Sequence, residues 1–356
     1  MQITDNKLYT ASQIITKTLE KVGTEVLFGY PGRSIISIYD ELSKQKIITP
    51  YFLRHEQGVV HAAEGYARIS GKCGVACVTS GPGATNTITG LANANHDGFP
   101  LLLITGQISS DLVGKGSFQE LDFAEMVRPC VKAVFKVEKA LEIETYILQG
   151  YLMATSGRKG PVVVEIPSDI LNESCEYRDI ELSEERVDAV LEFDVKRVIE
   201  ALKGAKKPLV VSGGGVVHAD ASKELLKFVS EVNVPVVSTM MGIGALPENH
   251  PNYAGMIGVY GTKQANKVFE EADTLIVLGA RLNDRVLTAF EIEDINRKTI
   301  IQVDINSNEL IKNYTSDIPL NVDVKRFLEA LLANLSSDLS YEFLDFNHSK
   351  QENFSE

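Results

Sequence analysis

Glu56 stands after an apolar run, Tyr51–Leu53, and before an Ala/Gly-rich helical pattern, Val59–Ile69. The run reads as a short buried strand, so the carboxylate falls where a strand ends and a helix begins. Open α/β sheets bind ligands at that carboxyl edge, and the helix dipole favours a negative group there. The same position suits a plain first-turn acid, so position alone leaves both readings open. A second apolar strand, Val75–Thr79, runs into Ser80-Gly81-Pro82-Gly83-Ala84-Thr85-Asn86. That small-residue turn opens another helix and leaves room for a ligand against the backbone. His55 adjoins Glu56, but one histidine without a partner is more often structural than catalytic. No Ser/His/Asp set has a nucleophile-elbow sequence, which argues against a hydrolase.

The elements that must position these groups alternate in type. Helical patterns at Ala11–Val22 and Ser34–Leu42 flank a strand at Glu25–Phe28, and further strands are expected at Leu101–Thr105, Ala133–Val137 and Val162–Ile166. Apolar strands separated by helices imply a mostly parallel sheet covered on both faces. The stretch 172–194 carries nine Asp or Glu against two Arg and no sustained period, which reads as a surface linker. A second α/β unit follows, with a helix at Val195–Leu202, strands at Pro208–Ser212, Val234–Ser238, Thr274–Gly279 and Thr299–Ile305, and a helix at Lys223–Val232. The fold class is therefore α/β, with two doubly wound, mostly parallel-sheet domains. The expected boundaries are 1–172 for the first domain, 173–194 for the linker, 195–335 for the second domain and 336–356 for a polar tail.

Bulk properties bound the function. Apolar residues make up 44% of the 356, enough for two cores, and the net charge of −13 argues against a nucleic-acid surface. An acidic chain can still hold an anionic cofactor on local backbone amides. Cys73, Cys77, Cys130 and Cys175 lack the spacing of a metal site and read as ordinary thiols. Met1–Tyr9 has no signal-peptide core, and no apolar run approaches the ~20 residues of a membrane span. A cytoplasmic protein is expected.

Six ordered blocks carry a more specific signal: Phe28-Gly29-Tyr30-Pro31-Gly32, Arg54-His55-Glu56-Gln57, Ala62-Ala63-Glu64-Gly65-Tyr66-Ala67-Arg68, Thr79–Asn86, Thr105-Gly106-Gln107 and Phe118-Gln119-Glu120. Together they resemble the pyrimidine-binding domain of thiamine diphosphate enzymes, and more closely the large subunit of acetohydroxyacid synthase (acetolactate synthase). The resemblance implies decarboxylation of pyruvate and joining of the two-carbon unit to a second 2-oxo acid, in branched-chain amino-acid synthesis. It assigns Glu56 to the aminopyrimidine nitrogen N1′, where a poorly solvated carboxyl shares a proton with the ring. Tyr30, Pro31, Gly32, Gly81, Pro82, Gly83 and Asn86 would then line the cofactor, and Phe118, Gln119 and Lys132 the substrate end.

In the same family the middle domain holds FAD in a largely structural role. The matching positions are Arg158, Gly213, Gly214, Gly215, Thr239, Gly261, Thr262, Gly279, Arg281, Asp284, Arg285, Asp304 and Ile305. Gly-rich turns after strands can bring N–H groups to a pyrophosphate. Each piece is weak alone, and an empty nucleotide-like scaffold is the alternative. A G-x-G-x-x-G fingerprint is absent from the first unit, against an NAD dehydrogenase.

The chain departs from the family pattern at four places. Arg33-Ser34 stand where the family has glycine and alanine, Ser168 where it commonly has lysine, Asn283 where it has aspartate, and Val259-Tyr260 where it has Met-His. No Gly-Asp-Gly, the family's Mg²⁺–diphosphate mark, occurs in these residues. The chain is therefore expected to be a partial catalytic subunit, inactive alone, with Mg²⁺ bound only alongside a third domain. Homodimerisation or a higher homo-oligomer, a small regulatory subunit and a separate chain carrying the third domain are the implied partners. Another thiamine diphosphate lyase or oxidase, or a non-catalytic protein keeping the cofactor fold, are the alternatives.

Overall fold

The computed structural model describes residues 8–181, 192–312, 315–336 and 339–341. The chain forms two compact units, Met1–Glu185 and Arg186–Glu356. Part of the expected linker, 182–191, and nearly all of the expected tail lie outside the described residues. Among the described residues no helix is long and apolar enough to cross a membrane.

The strands of the first unit are β1 (Leu8–Thr10), β2 (Val26–Tyr30), β3 (Thr49–Phe52), β4 (Gly74–Val78), β5 (Leu101–Gln107), β6 (Ala133–Lys136), β7 (Pro161–Pro167) and β8 (Ser174–Glu176). Six of them make one parallel sheet in the order β3-β2-β4-β5-β7-β6. β4 and the apolar parts of β5 and β7 are buried on both faces, as their unbroken apolar runs require. Val75, Cys77, Leu102, Ile104, Val162 and Val164 pack on one side with Ile14, Ile15 and Ile147. Ala76, Val78, Leu101, Leu103 and Val163 pack on the other with Val59, Val60 and Ala63. The latter three lie on the helix Glu56–Ser70, whose buried residues Glu56, Val59, Val60, Ala63, Glu64 and Ala67 form one helical stripe. Gly71, at φ 72°, ends that helix in the left-handed conformation.

Two expectations need correction. The run at Tyr51–Leu53 is not a buried strand: β3 lies at the sheet edge, and Tyr51 and Phe52 are 54% and 58% exposed. An apolar run reports strand propensity, and only pairing on both sides would have buried it. The first unit also extends past residue 172. β8 pairs antiparallel with β1, and the buried Glu144 carboxylate accepts from the backbone N–H groups of Arg178 and Ile180 at 2.9 and 2.7 Å. The acidic side chains there are solvated, but their backbone is strapped to the domain.

The second unit contains β9 (Pro208–Ser212), β10 (Val236–Ser238), β11 (Tyr253–Met256), β12 (Thr274–Leu278), β13 (Thr299–Val303) and β14 (Ile318–Leu320). They form a parallel sheet in the order β11-β10-β9-β12-β13-β14, the order of a dinucleotide-binding fold. β11 and β14 are short strands at the two edges, and the periodicity of the sequence does not announce them.

Candidate active site

In the first sheet the chain leaves β2 toward β3 on one side and returns to β4 on the other. That reversal makes a crevice at the carboxyl ends of β2 and β4, the usual ligand position of an open sheet. The turns after the two strands touch. A Cβ on Gly32 would stand 2.4 Å from Thr79 Cβ, so the Pro31-Gly32 turn reaches Thr79 only as glycine. The Thr79 and Ser34 hydroxyls are 2.9 Å apart, and Ser34 Oγ accepts from the Ser80 N–H at 3.1 Å. Ser34, one of the departures from the family pattern, thus ties the two turns together, while its neighbour Arg33 faces solvent. Tyr30 is 40% exposed at the end of β2.

Glu56 opens the helix Glu56–Ser70 and is buried, with 6% exposure. His55 caps that helix: its Nδ1 accepts from the Gln57 N–H at 3.1 Å. The Asn86 amide donates to Glu56 Oε2 at 2.9 Å. Among the described residues Oε1 accepts no hydrogen bond, and it faces Gly83, where a Cβ would lie 3.1 Å away. Gly81 takes φ 58° and ψ −124°, and a Cβ there would come within 2.7 Å of the Gln119 carbonyl oxygen. Glu56, Asn86, Gly83 and Thr79 therefore meet, and Gln119 lies against the same turn. Gln119 has φ 64°, unusual for a non-glycine residue. Phe118 beside it is 88% exposed, and the Glu120 carboxylate folds back onto the Gly114 and Ser117 N–H groups, which hold its pKa below the usual range.

Not every sequence-marked residue joins this cluster. The Lys132 ammonium donates to the Met153 and Ser156 carbonyls, capping the C-terminus of the helix Ile143–Thr155. Burial, with the nearby Arg158 charge, lowers its pKa to about 8. In the block Ala62–Arg68, Glu64 is a structural acid. It is 3% exposed and accepts from Arg68 and from the Asn93 amide, while Arg68 also reaches Asp97 and stacks over Phe99. Cys73 and Cys77 are buried, and that burial pushes both thiols up to about 12.

In the second unit the corresponding reversal lies between β9 and β12. Gly213 and Gly215 follow β9, and Gly279 follows β12. Each is required by the other turn: a Cβ on Gly213 would sit 2.2 Å from the Gly279 oxygen, and one on Gly215 2.5 Å from Gly279 Cα. Gly214 is looser, with Met241 Cβ 3.0 Å away. Ser212, at the end of β9, is 1% exposed, and its hydroxyl has no partner among the described residues. The Thr239 N–H donates to the Ser212 carbonyl. Asp304, after β13, is 8% exposed and accepts from the Asn306 N–H at 2.8 Å; Ile305 follows it, half-buried. An unpartnered buried hydroxyl and a strand-end carboxylate beside a switch-point crevice fit a nucleotide. Thr262 is instead a helix cap that accepts from the Ala265 N–H, and Gly261 closes the preceding turn against the Met256 oxygen. Asp284 and Arg285 are exposed, and Arg281 is half-buried. Arg158 belongs to the first unit, where its guanidinium donates to the Asn95 and His96 carbonyls at 2.7 and 2.9 Å.

Sequence reading missed Ser34, Ser212 and Glu165. Glu165 is a carboxylate inside the apolar run Val162–Ile166, and that mismatch was its available signal.

Comparison with known proteins gives the same two-part division. Residues 9–126 match the N-terminal TPP binding domain of thiamine pyrophosphate enzymes, and residues 195–331 match the central domain of the same enzymes. The acetolactate synthase large subunit of Haemophilus influenzae is 38% identical over 339 residues, 93% of this chain and 59% of that protein. The isozyme 3 large subunit of Escherichia coli is 37% identical, covering 95% of this chain and 60% of its own length. The Lactococcus lactis large subunit is 38% identical, with shares of 91% and 57%. The chain thus spans 57–60% of these three curated relatives.

Proposed function

Because the chain belongs to the thiamine pyrophosphate enzyme family, we propose that it is the cofactor-activating portion of an acetolactate synthase large subunit. The complete enzyme decarboxylates pyruvate and condenses the two-carbon unit with a second 2-oxo acid. Thiamine diphosphate, when bound, supplies the nucleophilic carbon for this chemistry. The observation that carries the reading is the Glu56 carboxyl: buried, held at Oε2 by Asn86, and turned with Oε1 toward Gly83. Holding one oxygen leaves the other to keep or release a proton toward the pyrimidine nitrogen N1′. Gly81 and Gly83 keep side chains out of the crevice, and Pro82 starts the short helix beyond it. Phe118 and Gln119 border the substrate end.

In the second unit Ser212, Asp304 and the Gly213–Gly215 turn would hold the FAD nucleotide, with Thr239 and Arg281 beside it. FAD there serves to complete the fold, since the net reaction moves no electrons. Mg²⁺ and the diphosphate belong to a further domain, contributed by the remaining length of the relatives. A homo-oligomer, a small regulatory subunit and a cytoplasmic location are parts of the same proposal.

The test supplies the remaining domain as a fusion or second chain, with thiamine diphosphate, Mg²⁺, FAD and pyruvate. Acetolactate should form, and Glu56→Gln should lower turnover by ~10²–10⁴-fold, the usual worth of a general acid–base group. The melting temperature should hold, because Gln can still accept from Asn86. Turnover within a few-fold of the parent would refute the role of Glu56.

A further inference from the structure

The loop between β5 and the helix Phe123–Val127 is anchored at both ends. At its start Asp169 Oδ1 accepts from the Ser110 N–H at 3.0 Å and from the Ser110 hydroxyl. At its end the Gln107 amide donates to the Leu121 carbonyl at 3.0 Å, and the Lys136 ammonium to Asp122 Oδ1 at 2.9 Å. Between these anchors the chain makes a tight turn, 117–120, in which the Glu120 N–H donates to the Ser117 carbonyl at 3.0 Å. Phe118, second in the turn, keeps φ negative, and Gln119, third, has φ 64°. That is the arrangement of a type II turn, whose third residue is ordinarily glycine or asparagine. A glutamine in the left-handed region is strained, and it persists only where its surroundings over-determine it.

The Glu120 side chain supplies those surroundings. Its Oε2 accepts from the Ser117 N–H at 2.8 Å, so Ser117 and Glu120 are joined by two bonds running in opposite directions. Its Oε1 accepts from the Gly114 N–H, which draws in the bend made by Gly114 and Gly116. The Ser117 hydroxyl adds a bond to the Leu112 carbonyl at 3.0 Å. One carboxylate thus fastens the turn to itself and to the segment before it. The residue fixed in this way is the one that lies against the Glu56 crevice: the Gln119 carbonyl oxygen, Cβ and Cα stand 2.7, 2.9 and 3.0 Å from where a Cβ on Gly81 would be.

We propose that Glu120 is a positioning residue: by clasping Gly114 and Ser117 it holds Gln119 in the left-handed conformation, and so sets where the Phe118 and Gln119 side chains stand beside the Gly81 turn. It acts through the Gln119 main chain. The inference rests on the reading that Phe118 and Gln119 border the substrate end. The same geometry says what can replace the clasp. Glycine adopts φ 64° without strain, so a glycine at 119 keeps the turn without Glu120, while losing the side-chain amide that the turn presents.

The experiment reads amide exchange by NMR in the 356-residue chain, without cofactor and corrected for intrinsic exchange. The reporter is the N–H of residue 120, which donates to Ser117 O and not to the carboxylate, so its protection measures the turn. Glu120→Ala should lower that protection ~10-fold, the order of a lost hydrogen bond to a charged group. Adding Gln119→Gly to Glu120→Ala should restore it. The melting temperature should hold throughout, because neither change removes core packing. Unchanged protection in Glu120→Ala, or a double variant that stays as unprotected as Glu120→Ala, would overturn the proposal. The second arm uses the enzyme completed by the remaining domain. There Glu120→Ala should lower kcat/KM for pyruvate by ~10–10²-fold, the scale of a misplaced contact. Glu120→Gln, which keeps one acceptor oxygen, should recover part of the loss. The double variant should regain the turn without regaining kcat/KM. If amide exchange behaves as stated and kcat/KM of Glu120→Ala matches the parent, the substrate-end reading fails and the clasp stands; if exchange does not, the clasp fails whatever the turnover.

Discussion

Gly81→Ala tests whether the turn beside Glu56 is built as described. The residue sits at φ 58°, ψ −124°, a conformation open in practice only to glycine. Holding an alanine there costs ~1–3 kcal/mol of backbone strain. The new Cβ would also meet Gln119 O at 2.7 Å, Gln119 Cβ at 2.9 Å and Gln119 Cα at 3.0 Å. Two of these are backbone atoms, so no flexible side-chain end can swing aside, and overpacking of this kind typically adds ~1–3 kcal/mol. The combined loss is ~2–6 kcal/mol. At ~2–4 °C per kcal/mol for a domain of this size, the first unit's melting transition should fall by ~4–24 °C. Gly65→Ala is the control. Gly65 lies inside the helix Glu56–Ser70, has helical backbone, and a Cβ there meets nothing within 4 Å. It should gain ~0.5–1 kcal/mol, from helix propensity alone. Differential scanning calorimetry that separates the two units reads both changes. If Gly81→Ala melts within ~2 °C of the parent, or if Gly65→Ala loses as much, the turn geometry and the Gly81–Gln119 contact are wrong.

Three further outcomes follow from other parts of the molecule. Arg68→Ala removes the guanidinium from the buried Glu64 carboxylate, leaving it the Asn93 amide and, at 3.5 Å, the His61 imidazole, and should cost ~2–4 kcal/mol in urea unfolding, since a buried charge stripped of its countercharge is expensive; a loss under ~0.5 kcal/mol would contradict the network. Glu165 binds its proton more tightly folded, at about 7, than unfolded, at 4.5. Its contribution is therefore present below about pH 4.5 and is lost as pH rises through 7, at most ~3 kcal/mol by linkage. The parent should lose stability relative to Glu165→Gln between pH 5 and pH 8, and parallel profiles would refute this. Saturating FAD at ~100 times its Kd should stabilise the second unit by ~2.7 kcal/mol; an unchanged melting temperature would mean that the Ser212 crevice holds something else or nothing.

What the sequence disclosed, and what it hid, divides along one physical line. Local backbone demands are legible: the unbroken apolar runs of β4, β5 and β7 call for two covered faces, and Gly81-Pro82-Gly83 calls for a turn without side chains. The place of Glu56 before a helix suits a plain first-turn acid equally well; the surrounding blocks singled it out, and its carboxyl is buried at 6% exposure. Demands made by distant segments are not legible. Tyr51 and Phe52 are as apolar as a core strand, yet among the described residues no strand pairs on the outer side of β3, and they are exposed. The stretch after Asn172 looks like a linker by charge, yet the distant Glu144 supplies its backbone with acceptors. Lys132 looks like a substrate group by its neighbours in sequence, and its ammonium instead closes a helix end some twenty residues later. The glycines of the second unit make the case most sharply. Read along the chain, Gly213-Gly214-Gly215 invites a pyrophosphate. Read in space, Gly213 and Gly215 are already required by Gly279, and only Gly214 has slack. A glycine-rich turn is thus necessary for this crossing of β9 and β12 whether or not a nucleotide ever binds. The proposed nucleotide site rests instead on Ser212, whose buried hydroxyl has no partner among the described residues.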